Sequence, residues 1–446
     1  MSKLVRIAFC LLVAVLAAAC DPDELTINTD GAARGGVETG SRKVSGDSRH
    51  VMIYYVAGYN DLRNYLADDI QDLLSCEYLP SPRRSDDVLL VFSKLAKSAS
   101  DFTTPVQPVL FRVSAGAEGK ALCDTLKRWD PSVLATDPAT LREVLSYVKE
   151  QFPAEGYGLV FTSHATGYLP KGYYQNPVIN ASSGAFQTSS VEQTAYPKEC
   201  SDGTPAVKSL GRDLTGSFVI QNEMEITSFA DAIPYKLDYV LLDACLMGGI
   251  ETAYALRGKC HLFGASQTEV LAEGFDYTTI TQSLVTSSPN PRRVCIEYFD
   301  FYNGLTGTSR SATISLIDCD RLDALTSVCQ TLFARYRSQI AALSASQVQQ
   351  FGRYHDGRAH PWFFDLQDIL IQAGINEQEK SQLQQALDAC VVYKAATPWF
   401  FEGTPSGFQI RAHCGLSMFL PSAGGSSLSS WYKQHISWNS ATKLVE

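Results

Sequence analysis

Basic excess, metal-ligand spacing and a long apolar span are what this chain lacks. Its 37 Lys and Arg residues stand against 47 Asp and Glu, for a net charge of −10. A surface of that sign repels phosphate backbones and argues against a nucleic-acid partner. The 12 cysteines include no CxxC pair and no Cys/His cluster at zinc spacing. A structural metal is therefore not expected. No EF-hand pattern occurs, so no cofactor is assigned and any calcium dependence stays open. The apolar stretch from Ile7 to Ala19 is too short to span a bilayer. Charged residues make up only 19% of the chain and hydrophobic ones 45%, a globular balance rather than a disordered one. At 446 residues there is room for one large α/β domain or two ordinary ones.

The start of the chain has the layout of an export signal. Lys3 and Arg6 precede the apolar stretch, and Ala17-Ala18-Ala19 lead into Cys20. That arrangement is similar to a bacterial lipoprotein signal. It implies removal of residues 1–19, lipidation of Cys20, and anchoring at the outer membrane or cell surface. The competing reading is an ordinary secretory signal cut after Ala19. Residues 21–48 are polar and rich in Gly and Ser, so they cannot bury a core and read as a tether. Residues 49–446 are then the folded domain.

Within that domain, short apolar runs alternate with amphipathic helices. The runs 51–59, 87–95, 157–164, 238–245, 261–267, 311–319 and 415–421 have strand character. Helical spacing appears after Asn60, over 138–152, from Ile226 to Ile233, and after Met247. A helical part is expected around 320–400. Continuous apolar strands between helices predict an α/β fold, a three-layer α/β/α sandwich on a mainly parallel sheet. Functional groups of such sheets gather beyond the carboxyl ends of the strands.

Two strands end in reactive side chains. YGLVFTSH delivers His164, and DYVLLDAC delivers Cys245. Alone, His164 reads equally as a polar strand-end residue and Cys245 as a small core hydrophobe. Together, at matched ends of consecutive strands, they suit nucleophilic catalysis by a thiolate beside an imidazole. The second Asp-Ala-Cys, at 388–390, fails this test. Leu383, Leu387, Val391 and Val392 place Cys390 on a helix, in the core. His413 and Cys414 would point to opposite faces of a strand, and His355 and His360 flank a loop.

These blocks resemble the clostripain-like cysteine peptidases, which share the caspase-type fold. The carriers are VMIYYVAGYNDL, SHATGY around His164, LDYVLLDACLMGGIETAY around Cys245, GASQTEVLAEGFDY, WFFDL and CGLSMFLP. The resemblance runs from about residue 51 to 421. It implies a His164/Cys245 dyad and an oxyanion hole from the backbone N–H groups of Cys245 and Ala165. It also implies cleavage after Arg or Lys, with Asp243 as the acid of the specificity pocket. As a strand-end carboxylate, Asp243 could otherwise cap the following helix. A second pocket acid would come from Glu269, Glu273 or Asp276, with Glu273 preferred. Two departures stand out. Ala165 replaces the family's usual Gly after the histidine, which brings strain only if the backbone there needs a positive φ. Tyr59 replaces an acid, though Asn60 and Asp61 follow as in the family.

Between the histidine and the cysteine lies an insertion, 170–217, rich in Ser, Gly, Asn and Pro. Long loops inside compact domains tend to be functional. The family implies activation by self-cleavage at a basic residue there. Lys171, Lys198, Lys208 and Arg212 qualify, with Lys198 and Lys208 in the most loop-like context. The expected partners are protein or peptide substrates carrying basic residues, and a membrane reached through the N-terminal lipid. Alternative functions on the same scaffold are a binding protein without turnover and a transpeptidase.

Overall fold

The structure is a computed structural model. It describes residues 49–81, 87–116, 120–171, 173, 207–208, 212–215, 220–352, 354–355, 358–359 and 362–446. The signal, Cys20, the tether and Lys198 lie outside the described residues.

Among the described residues, nine strands form one sheet. They are β1 (His50–Gly58), β2 (Val88–Leu95), β3 (Val109–Ala115), β4 (Ala121–Arg128), β5 (Gly156–Thr162), β6 (Leu237–Asp243), β7 (Cys260–Ala265), β8 (Thr313–Asp318) and β9 (Val391–Ala396). Their spatial order is β9-β8-β7-β6-β5-β1-β2-β3-β4. The centre, from β7 to β2, is parallel, and antiparallel pairs finish both edges. The central strands β1, β2, β5 and β6 are buried almost throughout, as a sheet covered on both faces requires. The edge strands β4 and β9 alternate between more and less exposed positions instead.

The helices are α1 (Arg63–Leu74), α2 (Pro138–Gln151), α3 (Ile226–Ala232), α4 (Ile250–Ala255), α5 (Ile280–Leu284), α6 (Pro291–Asn303), α7 (Leu322–Ala342), α8 (Leu366–Gln372), α9 (Glu377–Cys390), α10 (Pro421–His435) and α11 (Ser437–Thr442). The chain leaves β1 for β2 in one direction and leaves β5 for β6 and β7 in the other. Right-handed crossovers then put α1 on one face and α3 and α4 on the opposite one. The contacts agree: the thiol of Cys76, just past α1, donates to the Tyr277 carbonyl at 2.9 Å, joining α1 to the segment before α5. On the other face, the Tyr235 hydroxyl donates to Leu145 O at 3.1 Å, tying α2 to the end of the α3 segment. The α/β/α layering is as the sequence predicts.

Three expectations need correction, and some strands had not been expected. The run 415–421 is a strand only at Ser417–Met418, which pairs with Phe364–Asp365 outside the main sheet. Gly415, at φ 96°, and the helix opening at Pro421 cut it short. Val391 and Val392 are not helical. The helix stops at Cys390, and VVYKAA, led by two β-branched residues, forms edge strand β9. The helical part expected around 320–400 therefore ends at 390, and α10 and α11 lie further on. Strands β3 and β4 had no counterpart in the sequence reading, and the 170–217 insertion carries short strands at Val207–Lys208 and Arg212–Thr215.

The carboxyl ends of β1, β5, β6 and β7 share one edge of the sheet. Strand order reverses between β1 and β5, which makes that pair the topological switch point.

Candidate active site

Thr162 and Asp243 are register partners at the ends of β5 and β6. Two residues further on, His164 and Cys245 leave neighbouring parallel strands at the same level. The Thr162 hydroxyl donates to Asp243 O at 3.3 Å and holds the two strand ends together. Across the switch point, the Ser163 hydroxyl donates to Ala57 O at 2.7 Å, and the Asn60 amide donates to the same carbonyl at 3.0 Å. Asn60 Oδ1 in turn accepts from the N–H of Leu62 at 3.0 Å, which shapes the turn after β1. That turn aims Asp61 at the histidine: its Oδ1 lies 2.7 Å from His164 Nε2. The imidazole is buried, whereas Asp61 is 38% exposed.

Cys245 is fully buried. Its thiol accepts from the N–H of Val270 at 3.1 Å and lies 3.7 Å from that residue's carbonyl. Val270–Leu271 is a short strand paired antiparallel with Val207–Lys208 of the insertion, Val270 opposite Lys208. The next residue, Leu246, sits at φ 61°, in the left-handed region that costs a branched side chain about 1–2 kcal/mol. Backbone bonds hold it there: Leu246 N–H to Thr268 O at 2.9 Å, Gly248 N–H to Ser266 O at 2.7 Å, and Ser417 N–H to Gly248 O at 3.0 Å. The Gln267 amide also donates to Gly248 O, at 3.1 Å. Gln267 is oriented by His413, whose Nε2 lies 2.6 Å from its Oε1. The amide oxygen can only accept, so Nε2 is the donor, and burial lowers the pKa of His413 and keeps the ring neutral. A side chain on Gly248 would meet Gln267 Nε2 at 2.2 Å, so only glycine fits there.

Asp243 is also fully buried. Its Oδ2 accepts from the Tyr277 hydroxyl at 2.8 Å and from the Phe275 N–H at 3.3 Å. It is not a helix cap, because the helix that follows is capped at Gly249. Of the three acids weighed as its companion, Asp276 is engaged locally, bonding the N–H and hydroxyl of Thr278. Glu269 is buried and Glu273 half-buried. Glu273 and Asp243 both raise the hydroxyl of buried Tyr302, after burial itself and Tyr298, and Asp69 of α1 adds to the same effect. Ala165 is buried and is not among the positive-φ residues, so its side chain brings no strain. The left-handed position in this turn is Gly167, at φ 60°, where a side chain would strike Phe363 and Leu246 O.

Among the described residues, no three His, Cys, Asp or Glu side chains are grouped to hold a metal. The nine described cysteines form no disulfide, and Cys295, Cys329 and Cys390 are core thiols as expected.

The model of the clostripain family matches residues 200–444, more than half of the chain. The chain belongs to the clostripain family. It is a cysteine peptidase. Solved structures extend the likeness beyond the matched segment. The chain is similar to an inactive zymogen C11 protease from Parabacteroides distasonis at 24% identity and a TM-score of 0.69, covering 90% of this chain and 99% of that one. It is similar to a secreted C11 cysteine protease from Bacteroides thetaiotaomicron, bound to an irreversible peptide inhibitor, at 20% identity and a TM-score of 0.68. That match covers 90% of this chain and all of the other. At these identities the likeness speaks for the fold, which is caspase-like. No curated protein matches the chain.

For this clostripain-family chain, the structure thus sets His164, Cys245, Ala165 and Asp243 at one sheet edge. Sequence reasoning left Asp61, Gln267 and His413 without roles. Asp61 had a signal, since it follows the first strand at the same edge. Gln267 and His413 had none, because their contact joins residues far apart in the chain.

Proposed function

We propose that this peptidase is an exported endopeptidase in which Cys245 is the nucleophile and His164 its acid and base. The observation that supports the reading is the pairing of Thr162 with Asp243, two residues before His164 and Cys245 on adjacent strand ends. The thiolate attacks the peptide carbonyl, and the developing oxyanion is held by the N–H groups of Cys245 and Ala165. His164 protonates the leaving amine and then activates the water that hydrolyses the thioester. Asp61, on Nε2, keeps the ring's other nitrogen turned to the reacting atoms.

Asp243 is the acid that selects Arg or Lys before the scissile bond, with Glu273 as the second. A carboxylate anchored by Tyr277 and Phe275 is pre-organised for a cation, and both acids act on one tyrosine. Full burial of Cys245 and Asp243 supports a latent form that opens by self-cleavage in the insertion. Lys208 is the favoured cut, because its backbone pairs with the strand that contacts the nucleophile. Lys198 remains the alternative. Export, and anchoring through a lipid on Cys20, follow from the signal layout. Substrates are proteins or peptides with basic residues.

A fluorogenic peptide panel, varying only the residue before the scissile bond, tests this against the Cys245→Ala chain. Cleavage after Arg and Lys alone, absent from the variant, is the expected result. Cleavage after other residues overturns the pocket assignment, and activity that survives in Cys245→Ala overturns the dyad.

A further inference from the structure

Beyond the dyad, one buried carboxylate has no part in the chemistry so far. Glu251 lies in the first turn of α4, which begins just past the nucleophile turn, and is 1% exposed. Its Oε1 accepts from the Phe419 N–H at 2.8 Å and from the Tyr432 hydroxyl at 2.8 Å. It therefore grips both the strand Ser417–Met418 and helix α10. That strand lies directly against the nucleophile turn: Ser417 N–H donates to Gly248 O, and Ser417 bridges Gly249. The other carboxylate oxygen, Oε2, is buried without a hydrogen-bond partner, and so is the Ser417 hydroxyl. Both line the place that a side chain on Gly249 would take, at 2.9 Å and 3.3 Å from it.

We infer that Glu251 is a positioning residue for Cys245: in its uncharged form it clamps residues 417–419 onto Gly248 and Gly249, and ionisation loosens the clamp. The inference rests on Cys245 being the nucleophile. An uncharged carboxyl carries its proton on Oε2 and puts no charge into the core. An ionised one leaves a negative charge at Oε2, in the core, with no donor. Burial pushes the carboxyl up from 4.5 to about 7 despite the two donors on Oε1, so both forms are populated near neutrality. The ionisable side chains that face it are Tyr432 of α10 and Tyr168 of the histidine turn. Burial, with the Glu251 charge adding, raises both hydroxyls well above 10, so neither titrates in this range. Tyr168 also packs edge-on against Phe419 and Tyr432, which brings the histidine turn to the same junction.

The test is the pH profile of kcat and KM on unfolded casein for the active wild-type, Glu251→Gln and Cys245→Ala chains. Glutamine keeps the acceptor for Phe419 and Tyr432, offers an N–H where the uncharged acid has its proton, and cannot ionise. Wild-type kcat is expected to fall by about threefold or more as pH rises through 7, with KM steady, and Glu251→Gln to lack that decline. Thermal stability gives a second readout. A raised carboxyl contributes stability that is complete below 4.5 and lost as pH rises through about 7, and the glutamine chain should lack that loss. A merely structural carboxyl would change the stability profile and leave the two kcat profiles parallel, and that result overturns the inference. Superimposable profiles in both readouts overturn it too. Casein cleavage by Cys245→Ala would instead overturn the dyad on which it rests.

Discussion

Replacing Asp61 by asparagine tests how the histidine is held. The carboxylate oxygen lies 2.7 Å from Nε2 of a buried imidazole, but Asp61 is itself 38% exposed. A hydrogen bond to a charged group contributes about 1.5–3 kcal/mol. Water screens the exposed carboxylate and puts this one at the lower end, about 1.5 kcal/mol. Asparagine keeps an oxygen of the same reach and loses the charge that favours the imidazolium formed during the reaction. With about 1.4 kcal/mol per factor of ten, kcat should fall about tenfold. KM should stay unchanged, because Asp61 touches the ring and not the substrate. The assay is steady-state cleavage of a lysine peptide at low and high salt. Salt weakens the contribution of the exposed charge, so the gap between wild type and variant should narrow as salt rises. A variant within twofold of wild type at both salts would refute the reasoning and leave the 2.7 Å contact without catalytic consequence.

Three further substitutions probe other parts of the site. Asp243→Asn leaves a substrate cation buried without its counter-charge, a loss of about 3–5 kcal/mol, or roughly two to four orders of magnitude in kcat/KM for lysine peptides. Equal loss on peptides with a neutral residue at that position would show that Asp243 supports the fold and not specificity. Gly248→Ala drives a methyl group to 2.2 Å from Gln267 Nε2, which overpacks the turn by about 1–3 kcal/mol. Both Tm and kcat should drop, and an unchanged kcat would mean that the turn tolerates displacement. Lys208→Ala should leave the chain in one piece on a denaturing gel over hours in which the wild type yields two. If two pieces still form, sequencing the new N-terminus decides for or against Lys198.

The parallel core was legible because its strands are continuous apolar runs, a pattern that survives without knowledge of the partners. VMIYYVAG, GYGLVFT and LDYVLLD each declare themselves, and their ends deliver His164 and Cys245 to one edge. The edge strands did not declare themselves. ALCDTLKR and VVYKAA are only half-covered, so their sequences carry polar residues that period analysis reads as helix or loop. Val391 and Val392 illustrate the failure. Their spacing continues the helix, but the chain turns at Cys390 because two adjacent β-branched residues suit a pleated edge. The candidate pair His164 and Cys245 was visible for the same reason as the core. Most of its supports were not, since Gln267, His413 and Glu251 act through contacts between distant segments, and composition says nothing about who meets whom.

Those supports explain how a strained turn can persist at the centre of the site. Leu246 at φ 61° is unfavourable by about 1–2 kcal/mol, and nothing about leucine favours that conformation. The turn is held from both sides instead. Residues 266–268, just past β7, bond Leu246 and Gly248, while Ser417 bonds Gly248 from the C-terminal segment. Gln267 joins the two sides, donating to Gly248 O and, at 2.9 Å, to Gly415 O. Net hydrogen bonds of about 1 kcal/mol each, several of them converging on two residues, outweigh the strain. The consequence is that the position of the turn after Cys245 is set by segments nearly 150 residues apart, at Gln267 and Gly415. Mutations in the C-terminal segment should therefore reach kcat through the turn, even where they touch neither substrate nor thiol.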